Sequence, residues 1–316
     1  MPPARSHQGA RRARGKEGRE RGGKLMSVTN KSIVFLLLTF AVSWGIAIGG
    51  WALGGHQTPL GAFASLFGMM TGPAIAALVC AFAFEKGRRI EALGLRFKPN
   101  WWWLFAYLIA VALCAASVGV TVLLSDRTLG DLQANLLQVA QQAGQDVSQV
   151  PDLPLVPIIL FQALVMGAAI NSVLLTFTEE LGWRGYLHGL WRPSGFWRTS
   201  LATGAIWGVW HAPAIYLFGH NYPTERALGV AIFVIWCTLL SPVMTLVRDR
   251  AGSVWAAGIL HGTINAVAGV SILWLSSQDF PWNGLLGIGG YVVLAIAVVV
   301  VFLIQRGARK SQTAAA

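Results

Sequence analysis

The stretch Thr178-Glu179-Glu180-Leu181-Gly182-Trp183-Arg184 sets two carboxylates and a guanidinium at the end of a long apolar run, Pro154 to Phe177. Of 13 acidic residues, only Glu179 and Glu180 stand side by side at the end of a segment that could span a bilayer. A carboxylate at the centre of a bilayer costs about 2.5–3.5 kcal/mol on insertion scales. Such a pair needs water, a partner or a chemical task. The plainest alternative is a helix end at the interface, with Glu180 and Arg184 paired at i,i+4 in the favourable order.

Two of the six histidines, His211 and His261, also fall inside apolar runs. The others, His7, His56, His188 and His220, lie in a tail, in loops or just past a run. A lone intramembrane histidine is usually a packed, hydrogen-bonded residue. Here spacing adds something: Trp207 and His211 are i,i+4, and so are His261 and Asn265, so each pair shares a helix face. Adjacent Glu179 and Glu180 diverge by about 100° on a helix. Arg184 stands four residues from Glu180, which assigns Glu180 to the ion pair as a brace and leaves Glu179 facing a cavity. The swapped assignment is the competing one.

A free carboxylate, two imidazoles and an amide around a wet cavity can hydrolyse an acyl bond. Glu179 would be the general base for a water held by His211. His261 and Asn265 would donate to the developing oxyanion. A second arrangement uses Glu179, His211 and His261 as ligands of Zn²⁺ with one position open for water. No H-E-x-x-H pair supports it.

The elements that must hold these groups follow from composition. The chain is 55% hydrophobic and 12% charged, against about 25% charged in soluble domains, and its mean hydropathy is +0.57. This predicts an all-α, polytopic membrane bundle. Runs of about 20 apolar residues recur at approximately 32–54, 60–84, 101–124, 154–178, 199–218, 227–247, 253–275 and 284–305, giving about eight spans. Residues 1–25 read as a basic, disordered arm, with Met26 resembling a natural start; 26–310 form the membrane domain and 150–270 its catalytic core. Pro213 and Pro242 predict kinks. Segment 125–153 predicts a surface amphipathic helix around Leu132, Leu136, Leu137 and Val139. Cys80, Cys114 and Cys237 lie in apolar runs and read as small core residues. If the N-terminus is cytoplasmic, every Lys and Arg except Arg127 and Arg226 falls at the cytoplasmic side. Both termini are therefore expected there, most simply in a bacterial inner membrane. The net charge of +11 then reflects topology, and nucleic acid is not expected as a partner.

Glu179-Glu180-x-x-x-Arg184, Trp207-x-x-x-His211 and His261-x-x-x-Asn265, in this order on successive spans, resemble the CPBP intramembrane protease family. It includes type II CAAX prenyl proteases and bacteriocin-processing and immunity proteins. Leu93-Gly94-Leu95-Arg96 and the words around His211 and His261 add to the likeness. The resemblance implies an endopeptidase acting on a membrane-embedded or lipidated peptide; the charge-derived topology, which puts Glu179, Glu180, His211 and His261 in the cytoplasmic half of the membrane, predicts action from the cytoplasmic side. It implies catalytic roles for Glu179, His211, His261 and Asn265, supported by Glu180, Arg184 and Trp207. No cofactor is expected, with Zn²⁺ as the alternative that the family's metalloprotease names suggest. Trp207 departs from the family's more frequent Phe and reads as an aromatic exchange at a packing position. A non-catalytic immunity or scaffold protein and a proton-coupled transporter are the competing functions.

Overall fold

The computed structural model of the protein describes residues 26–142, 144–147 and 154–314. The expected basic arm, residues 1–25, and the end of the long loop, 148–153, lie outside them. The described residues are helical, with a single isolated bridge between Leu129 and Leu275. Ser27 caps α1 (Val28–Ala52) by accepting from Asn30 N–H at 3.1 Å. Then come α2 (Pro59–Met70), α3 (Gly72–Phe84), the single turn α4 (Arg89–Ala92) and α5 (Trp101–Leu124). α6 (Leu132–Gln142) is the helix expected in the long loop; Leu132 is buried, and Asn135 donates to Leu273 O and Leu275 O.

α7 runs from Leu155 to Ser194, with wide π turns at Gln162–Gly167 and Thr176–Leu187. It is followed by α8 (Phe196–Trp210), α9 (Ala212–Phe218), α10 (Arg226–Ala251), α11 (Val254–Ser271) and α12 (Ile288–Ala314).

Among the described residues, seven helical stretches are long and apolar enough to cross a membrane. The all-α bundle and its integral membrane character follow. The count of eight does not, because run 199–218 is split into α8 and α9. The cause is local. Pro213 lacks the N–H that would bond to the turn before it, and its ring crowds that turn, so α8 ends and Pro213 opens α9. The run 60–84 divides in the same way at Thr71, with Pro73 in the first turn of α3. Pro242, by contrast, sits inside an unbroken α10.

Each end of the bundle is tied by its own polar contacts. At one end Lys31 pairs with Glu85 (2.6 Å), Val254 N–H donates to Gly94 O (2.9 Å), and Arg192 reaches Asp249 (2.6 Å). This end carries most of the basic residues. At the opposite end Thr128 N–H meets Ser276 Oγ (3.1 Å), and Tyr222 Oη donates to Leu286 O (3.3 Å). The three cysteines are buried and free, as expected of core residues.

Close helix approach is what brings α11 to α7. A Cβ on Gly262 would lie 2.2 Å from Ser172 N and 2.5 Å from Asn171 C. Within a membrane, such small residues let backbones pack where apolar burial supplies no drive between helices. Gly262→Ala is expected to cost about 1–3 kcal/mol by overpacking, read as a lowered unfolding temperature in detergent. Gly119→Ala, where a Cβ meets nothing within 4 Å, is the control and should leave stability unchanged or slightly raised.

Candidate active site

The break that Pro213 imposes also creates a site. His211 N–H reaches Gly208 O at 3.2 Å, one residue short of an α-helical turn. The carbonyl of Trp207 is taken by the imidazole of His211 instead, with Nδ1 at 2.8 Å. Trp210 O, at the same helix end, accepts from Trp44 Nε1 at 3.0 Å. A carbonyl can only accept, so Nδ1 of His211 carries the proton and Nε2 of the neutral ring is left as an acceptor. The ring is held among Trp210, Phe233 and Trp207, with centroids at 4.6, 4.8 and 5.5 Å.

Glu179 and Glu180 lie in the wide turn Thr176–Leu187, and both are buried. They have different partners. Glu180 Oε1 accepts from Arg184 Nη1 at 3.1 Å and from His261 Nδ1 at 2.9 Å. Glu179 Oε2 accepts from Trp207 Nε1 at 2.8 Å. The Arg184 guanidinium lies over the Trp207 ring, 4.5 Å from its centroid, and donates to Ser241 Oγ at 3.3 Å. The Arg184 carbonyl accepts from Arg248 Nε at 2.8 Å.

Trp207 is therefore more than an aromatic exchange at a packing position. Its indole N–H holds Glu179, its carbonyl holds His211, and its ring meets Arg184 and His261. A Phe at this position could not make the first contact. The amphipathic character of indole was the available signal, because a buried Trp N–H generally finds an acceptor.

Glu179, His211, His261 and Asn265 all line one cavity of about 770 Å³, whereas Glu180 and Arg184 stand behind its wall. Its sides are largely apolar, including Leu66, Met69, Met70 and Phe233. Sequence reasoning missed Asn171, which lines the cavity with its Nδ2 donating to Gly167 O at 2.8 Å. It also missed His220 and Tyr222, which lie past α9. His220 is exposed, whereas burial pushes the Tyr222 hydroxyl up to about 12 and keeps it neutral near pH 7. The lining continues through Thr224, Glu225, Asp279 and Asn283, at the end of the bundle away from the basic loops.

The hydrogen bonds at Nδ1 of both histidines and at one oxygen of Glu179 leave Nε2 of each ring and the other carboxylate oxygen free, so they do not by themselves decide for or against zinc. Among the described residues, no group of three His, Cys, Asp or Glu side chains is arranged to hold a metal ion. The metalloprotease reading gains no support.

A helical membrane bundle that brings Glu179, His211, His261 and Asn265 to one cavity, with Glu180 and Arg184 behind its wall, narrows the protein class considerably. Residues 160–267 match the family described as type II CAAX prenyl endopeptidase Rce1-like, so the likeness read from the ordered motifs holds over this segment. At the level of that family, the match supports a CAAX-type intramembrane protease. No curated protein matches the chain.

Removing one member of a buried ion pair leaves the other charge uncompensated, at about 3–5 kcal/mol. Arg184→Met is expected to lose that much, measured by denaturation in mixed micelles. Adding Glu180→Gln to Arg184→Met should recover part of the loss, because the stranded carboxylate is then gone.

Proposed function

We propose that the chain is an intramembrane endopeptidase that hydrolyses a peptide bond of a membrane-associated or lipidated substrate, using water activated by Glu179 and His211. The observation that carries this reading is the convergence of Glu179, His211, His261 and Asn265 on one cavity, with Trp207 bridging the first two. Glu179 is the free carboxylate of the pair, since Arg184 and His261 occupy Glu180.

Water sits between the Glu179 carboxylate and Nε2 of His211, which the Trp207 carbonyl leaves as an acceptor. Glu179 removes a proton as the water oxygen attacks the scissile carbonyl. The carbonyl oxygen becomes an oxyanion. His261, held through Nδ1 by Glu180, and the Asn265 amide are the groups that face it. Donors of this kind are typically worth about 2.7–4 kcal/mol each. Collapse of the tetrahedral intermediate breaks the C–N bond, and the proton held by Glu179 passes to the leaving amine. A transporter would need a path to both ends of the bundle. This cavity's lining includes no residue of loop 85–100 or of 192–195.

Purified protein should release peptides from candidate membrane substrates, and Glu179→Gln should abolish release while remaining folded. Equal cleavage by both would overturn the reading, whereas loss in Glu180→Gln with activity in Glu179→Gln would reverse the two roles. Trp207→Phe is expected to reduce turnover roughly tenfold to a hundredfold, because a hydrogen bond to a charged group is worth about 1.5–3 kcal/mol. The reduction should appear in kcat rather than KM.

A further inference from the structure

The cavity has one feature that the hydrolytic reading does not use: the end of the bundle at which it opens. Its lining beyond the catalytic groups comes from two loops, 219–225 between α9 and α10 and 275–287 between α11 and α12. Tyr222 Oη joins them through Leu286 O, and Trp236 Nε1 anchors the second through Leu285 O at 2.8 Å. Leu66, Met69 and Met70 add a wall from α2 and its C-terminal end. Thr224, Glu225 and Asp279 are exposed at this rim.

The opposite end of the bundle is where the cations gather. Loop 85–100 alone carries Lys86, Arg88, Arg89, Arg96 and Lys98, and Arg192, Arg198, Arg250 and Arg306 lie at the same end. The rim end has Arg127 and Arg226. Loops this short obey the positive-inside bias, so the basic end is cytoplasmic. Towards that end the cavity floor is closed by the buried Glu180–Arg184 pair and by Arg248, which donates to the Arg184 carbonyl.

We infer that the cavity opens to the extracytoplasmic side, and that its substrate is a polypeptide presenting its cleavable segment there: the exposed tail or loop of an exported or membrane-anchored protein. This rests on the reading above for the chemistry, but the direction of opening is independent of it. A segment entering by this route passes apolar walls at Leu66, Met69, Met70 and Phe233, which suit apolar side chains, and then reaches Glu179 and His211.

The test places single cysteines at Thr224 and Asp279 on the rim, and at Arg88 and Lys98 at the basic end, in protein expressed in a bacterial inner membrane. The native cysteines are buried. A membrane-impermeant maleimide should label the rim positions in right-side-out vesicles and the basic-end positions only in inverted ones. The reverse pattern overturns the inference. A membrane-impermeant, internally quenched peptide library is then added to each vesicle type. Cleavage in right-side-out vesicles, blocked by a bulky maleimide on Asp279→Cys but not on Lys98→Cys, supports the inference. Cleavage only in inverted vesicles overturns it and leaves the endopeptidase intact. Absence of cleavage in both overturns the endopeptidase reading, and the labelling pattern then decides the direction of opening on its own.

Discussion

One buried carboxylate governs the site. Glu180 is held inside a membrane bundle by Arg184 and His261 on a single oxygen. An ion pair removed from water does little for net stability unless its hydrogen bonds are made, so its main effect is geometric. It ties α7 to α11 through His261, and Arg184 extends the tie to α10 through Ser241 and Arg248. Three helices are thereby fixed at the depth where Glu179 faces the cavity. In the proposed mechanism Glu179 is spared for chemistry because its neighbour carries the structural load.

The second constraint is the helix break. Pro213 ends α8, and a broken helix in a membrane must have its freed carbonyls satisfied by neighbours. His211 and Trp44 perform that service, and for His211 it also selects the tautomer. The same covalent feature that splits the span thus leaves His211 Nε2 as an acceptor towards the cavity. A continuous helix would have used the Trp207 carbonyl in its own ladder and left the ring free to rotate.

Much of the site was legible in the sequence because charge in an apolar run is costly and therefore informative. Glu179, Glu180 and Arg184 stood out in that way, and the pairing of Glu180 with Arg184 followed from their i,i+4 spacing. The fold class was legible from hydropathy, while the number of spans was not, because a hydropathy run does not register where proline divides it. The role of Trp207 was hidden for a different reason. In a chain with 14 tryptophans, an indole in a span reads as packing until an acceptor is seen opposite its N–H. The wide turns in α7 left no compositional mark, although Gly182 allows that segment to pass within 2.7 Å, at its would-be Cβ, of Pro73 O.

The direction of the cavity was illegible for the deepest reason. Sequence distance from a helix end gives depth only if helices start at the same level, and these do not. His211 follows 15 residues of α8, whereas His261 is seven residues beyond the first of α11, yet both line the same cavity. Arg184, counted by composition among the topogenic cations, is fully buried in the core. The orientation expected from the charge rule does not depend on Arg184, because the loop cations alone carry it. What the rule lacks is knowledge of which loops fold over the active groups, and that is decided by tertiary contacts such as Tyr222 with Leu286. Topology and access are separate quantities, and only the first is written in the distribution of Lys and Arg.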